Sequence, residues 1–183
     1  NNRFNNYGFI KSQLDISYEK IVEKITETQE KLRALNQMEN ERFGNEIIYG
    51  EATIEDNIVK VNNESLEYDN LLIATGARPF IPDIKGKEFG LTNKDILKID
   101  EVPEKLNIIG GGIIAGEIAN IYSTLGSEVN ILARSSFLKE ISEETKRYVL
   151  EKIMPDVNVY ENTSITEAFK DKVLTEDGRE LEG

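Results

Sequence analysis

Residues 106–132 read LNIIGGGIIAGEIANIYSTLGSEVNIL, and this stretch decides the fold. Leu106–Ile109 is a short apolar run that breaks at Gly110-Gly111-Gly112. Apolar residues then recur at helical spacing as far as Leu125, Gly126 stops them, and Val129-Asn130-Ile131-Leu132 has the make-up of a second strand. Strand, glycine loop, helix and strand make a βαβ crossover of about 27 residues. Each small residue in the loop has a reason to be small. Gly110 permits a sharp turn at the strand end, Gly112 lets a diphosphate approach the backbone, and Ala115 lets helix and strand pack closely. The helix starting at Ile113 then aims its free N–H groups and partial positive charge at the same point. A plain strand–helix turn with three permissive glycines is the alternative; placement inside a βαβ unit favours dinucleotide binding.

The end of the second strand chooses between nicotinamide cofactors. A carboxylate there accepts hydrogen bonds from the adenosine ribose and repels a 2′-phosphate. The sequence instead runs Ala133-Arg134-Ser135-Ser136, with Lys139 close behind. Arg134 offers a planar donor fork and the two serines add hydroxyls, which favours NADP(H) over NAD(H). Arg134 as a solvated surface charge is the plainer alternative.

Downstream, a helix is expected over 143–153, closed by Pro155, and Val157–Tyr160 resembles a third parallel strand. Short strands follow at 164–168, 172–175 and 180–181, with a tight turn at Asp177-Gly178. Upstream, Pro103 marks a boundary, Thr92 is placed to cap a helical turn over 93–98, and residues 78–90 read as connecting chain. Leu71–Ala74 is an unbroken apolar run, as expected of a strand buried on both faces. Before it, Ile47–Tyr49, Thr53-Ile54, Ile58–Val61 and Leu66–Tyr68 alternate with turns at 55–57 and 62–64. A long helix is expected over 15–42, with Leu14, Tyr18, Ile21, Ile25, Leu32 and Leu35 on one face, a cap at Asp15 or Ser17 and a stop at Gly44. That face either packs on its own domain or serves as a partner helix. Tyr49–Ile54 resembles Tyr160–Ile165, so the two meanders look like a weak internal repeat.

Composition narrows the chemistry. The 183 residues are 39% hydrophobic and 31% charged, with a net charge of −12, a poor match to nucleic acid or an anionic membrane surface. No apolar run approaches membrane-spanning length, so a soluble, cytoplasmic protein is expected. The chain holds no His and no Cys, which leaves no thiol, imidazole or zinc-type chemistry within it. It begins at Asn1 and stops at Gly183 inside a meander, which suggests an internal piece of a longer protein.

Two motifs together resemble a known family: YDNLLIATGARPFIP at 68–82 and VPEKLNIIGGGIIAGEIANIYSTLGSEVNILARS at 102–135. They resemble the pyridine nucleotide–disulfide oxidoreductases, which include dihydrolipoamide dehydrogenase-like flavoproteins. The resemblance implies an α/β fold of FAD/NAD(P)-binding Rossmann-like domains, three-layered, with a parallel sheet and an antiparallel meander. It implies two incomplete domains: residues 1–101 from an FAD domain (helix 15–42, meander 47–76, linker 77–101) and residues 102–183 from an NAD(P) domain. Glu51 and Ala52 then match the segment facing the FAD adenine, and Ala74, Thr75 and Gly76 match the strand end beside the flavin cofactor. Gly110, Gly111, Gly112, Ile113 and Ile114 match the nucleotide diphosphate and nicotinamide side, and Glu117 the carboxylate near nicotinamide and flavin. Arg134, with Ser135 and Lys139, matches the 2′-phosphate position of the NADPH-using branch. Glu140, however, stands where that branch often has a second basic residue, which weighs toward NAD.

The family's FAD glycine loop, redox cysteines and proton-transferring His have no counterpart in these 183 residues, so no catalytic residue is expected here and the chain alone is expected to be inactive. The parent is expected to be a homodimer that passes hydride from NAD(P)H to FAD and on to a disulfide-type acceptor. The alternative is a non-catalytic, nucleotide-binding redox sensor with 15–42 as its partner helix.

Overall fold

The computed structural model describes residues 17–183, so Leu14 and the proposed cap at Asp15 lie outside the described residues. The chain forms two compact units: residues 22–78, and residues 79–183 joined by 17–21.

Helix α1 (Tyr18–Phe43) starts where Ser17 Oγ accepts from the Lys20 N–H and ends at Gly44, whose φ of 70° is the left-handed stop expected there. None of its residues is buried; Tyr18 at its start packs against the core of the larger unit, whereas Leu32, Leu35 and Met38 further along are exposed. Strands β1 (Ala52–Glu55), β2 (Ile58–Val61) and β3 (Glu64–Glu67) form an antiparallel meander. Asp56 and Asn57 have φ of 45° and 65°, the pair of positive angles that a two-residue hairpin of matching twist requires.

Two expected strands are absent. Ile47–Tyr49 has no ladder partner and is held instead by the Asn62 side-chain amide donating to the Tyr49 carbonyl, 3.0 Å. Leu71–Ala74 is unpaired and exposed, Leu72 at 87%. Apolar composition signals a wish for burial, but a central strand also needs a neighbour on each edge to take its N–H and C=O groups. No described strand lies beside this one.

The larger unit is built on three parallel strands in the order β4 (Lys105–Ile109), β5 (Glu128–Leu132), β6 (Val157–Tyr160). Helix α2 (Ile113–Leu125) is the crossover between the first two, closed by Gly126 in the left-handed conformation at φ 111°. Ala119, Tyr122, Val129, Ile131, Phe137 and Met154 form the core beneath it. The buried Tyr122 hydroxyl meets that of Tyr18 at 2.8 Å, and Tyr18 also donates to the Ile96 carbonyl. Tyr122 is thus satisfied despite its depth, and burial pushes its phenol well above the ordinary range. Helix α3 (Glu143–Tyr148) is capped by Ser142 and widens into a π-helical turn, Val149–Ile153, where the Met154 N–H bonds the Val149 carbonyl. The helical turn expected over 93–98 is a single 3₁₀ turn, Ile96–Lys98, and Thr92 donates to Asp95 as well as accepting from the Lys94 N–H.

A second antiparallel meander, β7 (Ile165–Ala168), β8 (Lys172–Thr175) and β9 (Glu180–Glu182), turns at Gly178 as expected. It is tied to the parallel sheet through asparagine. Asn107, Asn130 and Asn158 stand opposite one another on β4, β5 and β6. Each side-chain amide donates to the next carbonyl at 3.0 Å, and Asn107 passes its own amide to the Leu181 and Glu182 carbonyls of β9.

Candidate functional site

The three glycines after β4 have three different surroundings. Gly110 has φ 130° and donates its N–H to the Leu132 carbonyl, 2.9 Å, as the chain leaves the sheet. At Gly111 an added Cβ would stand 2.7 Å from the Ala133 Cβ, so this residue lets the loop close on the chain after β5. Gly112 precedes α2 in extended conformation, and a Cβ there would meet nothing within 4 Å. The space above it is open, which is what a close-approaching ligand needs. Ala115 is buried, as a third small residue in the pattern should be.

No side chain caps the start of α2, and its first turn carries no carboxylate. The first backbone N–H groups therefore remain available, with the positive end of the helix dipole behind them. Ile113 and Ile114 are exposed on the same side.

Beyond β5 the chain forms a loop that is held from two sides. Ala133 donates to the Tyr160 carbonyl, Thr163 donates to the Ala133 carbonyl, and Leu138 donates to the Gly111 carbonyl at 2.7 Å. Arg134, Ser135 and Lys139 are exposed along this loop. Among the described residues, no carboxylate lies within 4 Å of the Arg134 or Lys139 charge.

Glu161, which follows β6, was not singled out by sequence. One oxygen of its carboxylate accepts from the Phe137 N–H at 2.7 Å and the Ser136 hydroxyl at 3.0 Å, and pairs with Lys146 at 2.7 Å. Lys146 comes from α3, is buried, and also donates to the Ser136 hydroxyl at 2.8 Å. The Lys146 ammonium, then the Phe137 N–H, hold the Glu161 carboxyl below its ordinary range; Glu161 in turn raises Lys146. The Ser136 hydroxyl gives its one proton to Glu161 and accepts from Lys146, so it has no proton left to donate to a ligand. Leu138, next along, is buried at φ 48°, a conformation that costs a side-chain-bearing residue about 1–3 kcal/mol and persists only when its surroundings impose it.

Glycine loop, α2 start and held loop border one groove of about 880 Å³, with Phe80, Pro82 and Ile84 on its far side. The structure thus brings together Gly110, Gly111, Gly112, Ile113, Ile114, Arg134, Ser135 and Lys139. Glu117 is exposed one turn further along α2 and does not line the groove. Glu51, Ala52, Ala74, Thr75 and Gly76 belong to the smaller unit and are all exposed, with Gly76 at φ 73°. The groove has the elements a dinucleotide needs, an open approach at Gly112, an uncapped helix and two unpaired cations, with the Asp83 and Glu140 carboxylates also on its border. The residues matched to FAD are all exposed and form no cradle for a flavin in these 183 residues. Among the described residues no cluster of carboxylates could hold a metal ion, and no helix is long and apolar enough to cross a membrane.

A parallel βαβ core with a glycine loop at its strand end, joined to an antiparallel meander, is the architecture of nucleotide-binding oxidoreductase domains. The chain belongs to the pyridine nucleotide-disulphide oxidoreductase family, whose model matches residues 2–183. It is 34% identical over 161 residues to the uncharacterized protein MJ0636 of Methanocaldococcus jannaschii, covering 87% of this chain and 38% of that one. It is 33% identical over 147 residues to a glutathione reductase of Nostoc, covering 79% and 32%. Over 111 residues it is 40% identical to a mercuric reductase of Staphylococcus aureus, covering 56% and 20%. The crystal structure of LpdA from Mycobacterium tuberculosis shares the fold, with a TM-score of 0.75 at 24% identity over 99% of this chain and 43% of that chain. The chain spans less than half the length of each of these proteins.

Proposed function

We propose that the groove binds the pyridine nucleotide of an FAD-dependent oxidoreductase, with NADP(H) preferred, and that the whole protein reduces a disulfide-type acceptor in the manner of dihydrolipoamide dehydrogenase. One observation carries the reading: open Gly112, the uncapped start of α2 and the unpaired Arg134 and Lys139 line the same groove. A bound nicotinamide supplies a hydride. This chain's residues do the holding: α2 N–H groups for the diphosphate, Arg134 with Ser135 and Lys139 for a 2′-phosphate. On this reading residues 1–101 derive from an FAD-binding domain and 102–183 from an NAD(P)-binding domain. The parent acts as a homodimer in the cytoplasm, and the flavin meets Glu51, Ala52, Ala74, Thr75, Gly76 and Glu117 only there.

Calorimetric titration of the chain with NADPH, NADH and FAD tests this. NADPH is expected to bind more tightly than NADH, and FAD to bind little. Arg134→Glu is expected to weaken NADPH by about tenfold or more, the size of a charge-assisted hydrogen bond, and NADH far less. Equal loss of both would exclude the 2′-phosphate role. No NADPH–disulfide reductase turnover is expected from residues 1–183 alone.

The exposed Leu32, Leu35 and Met38 favour a second reading, in which α1 is a partner helix of a non-catalytic module. It requires a monomer–dimer equilibrium that Leu32→Glu abolishes in size-exclusion chromatography.

A further inference from the structure

We infer that Glu161 is a positioning residue for nucleotide discrimination: its carboxylate holds the loop carrying Arg134, Ser135 and Lys139 in the shape that distinguishes a 2′-phosphate from a free ribose hydroxyl. The inference rests on the nucleotide reading of the groove and adds to it a residue that touches no ligand.

The loop from Ala133 to Leu138 is tied to its surroundings at both ends by backbone. Ala133 exchanges bonds with Tyr160 and Thr163, and Leu138 reaches back to Gly111. Between those anchors stand the Phe137 N–H and the Ser136 hydroxyl, and both end on a single carboxylate oxygen of Glu161. The Glu161 side chain therefore fixes the middle of the loop, together with the Asn162 N–H, which donates to the Ser135 carbonyl at 3.3 Å. It does so next to Leu138, which is held in the left-handed region at φ 48°. Remove the acceptor and the Phe137 N–H loses its partner, the Ser136 hydroxyl turns, and Leu138 loses a restraint on a conformation that it does not favour.

Lys146 ties this arrangement together from the α3 side. Its ammonium neutralises Glu161 at 2.7 Å and completes the Ser136 hydroxyl at 2.8 Å, with Glu143 further off at 3.7 Å. Lys146 is thus occupied, whereas Arg134 and Lys139 are not. The loop has two cations aimed outward and one turned inward to carry the restraint.

Charge and geometry make opposite forecasts for the same substitutions, which gives a sharp test. If Glu161 acts only as a negative charge near the phosphate, Glu161→Ala and Glu161→Gln both strengthen binding of a 2′-phosphate. If it acts by position, Glu161→Ala loses the loop shape while Glu161→Gln keeps an acceptor oxygen for the Phe137 N–H. The probes are 2′-phospho-AMP and AMP, titrated by calorimetry into the full chain and the two variants. In the wild type 2′-phospho-AMP is expected to bind more tightly than AMP. Glu161→Ala is expected to lower that preference about tenfold with AMP affinity nearly unchanged, and Glu161→Gln to keep most of it. General loosening of the fold weakens both probes together and leaves their ratio alone, so the ratio separates positioning from mere structure. A ratio in Glu161→Ala within about twofold of wild type, or raised in both variants, overturns the inference while the nucleotide reading stands. A wild-type chain that binds the two probes equally overturns the NADP(H) preference itself, and the inference with it. If Glu161→Ala does not fold, Glu161→Gln decides by the direction of its ratio: raised, the charge account holds and the inference fails.

Discussion

Gly111 and Gly112 are adjacent and lack the same atom for different reasons. Gly111→Ala puts a methyl 2.7 Å from the Ala133 Cβ and 3.3 Å from the Phe137 Cα. It is expected to cost about 1–3 kcal/mol in urea unfolding, the range of an overpacked contact. Gly112→Ala meets open space at a φ of −87° and is expected to leave stability unchanged while NADPH affinity falls. Glu161 lends itself to a pH measurement. Its carboxyl titrates below the usual 4.5 in the folded chain, so the stability it contributes is present above that value and is lost as pH falls through the lowered one. Lys146 is raised from 10.5, so its share is present below 10.5 and is lost as pH rises further. The unfolding free energies of wild type and Glu161→Gln are therefore expected to differ at neutral pH and to converge in acid. Sequence showed the glycines because their constraint is local. It did not show Glu161 or Lys146, since their meeting depends on β6 and α3 both arriving behind a loop 24 and 10 residues away.

At the scale of elements, the crossover from β4 through α2 to β5 was legible because strand, loop and helix each carry their own signal within a few residues. Leu71–Ala74 was misread for the opposite reason: apolar composition records a preference for burial, and the strand it implies exists only beside partners. The π turn at the end of α3 left no mark either, because it changes hydrogen-bond spacing without changing which residues are apolar. The asparagine row across β4, β5 and β6 is a property of pairing and invisible in any one strand. Asn130 is its centre, buried and bonded on both sides. Asn130→Ala is expected to leave the Asn107 carbonyl and the Asn158 amide short of a partner and to cost about 1–3 kcal/mol, with an unchanged dependence on denaturant concentration.

At the scale of the molecule, the net charge of −12 sets the background against which the groove attracts an anion. Two unpaired cations and a helix terminus act at short range against that long-range repulsion, and salt screens the repulsion as well as the attraction, so nucleotide binding is expected to change only modestly with salt. Hydrogen exchange then locates the site. Saturating NADPH is expected to slow exchange at 110–116 and 134–139, and to leave the meander of 52–67 unaffected, since ligand stabilises only the structure that binds it. The asparagine row also bears on register. A parallel pairing can be offset by one residue, with β5 docked against β4 out of step. Such a slip turns every side chain over and leaves amides facing aliphatic neighbours. A misaligned sheet is thus penalised, and the row works as a proofreader of register, favouring the one alignment in which the strand ends reach the groove at a common level.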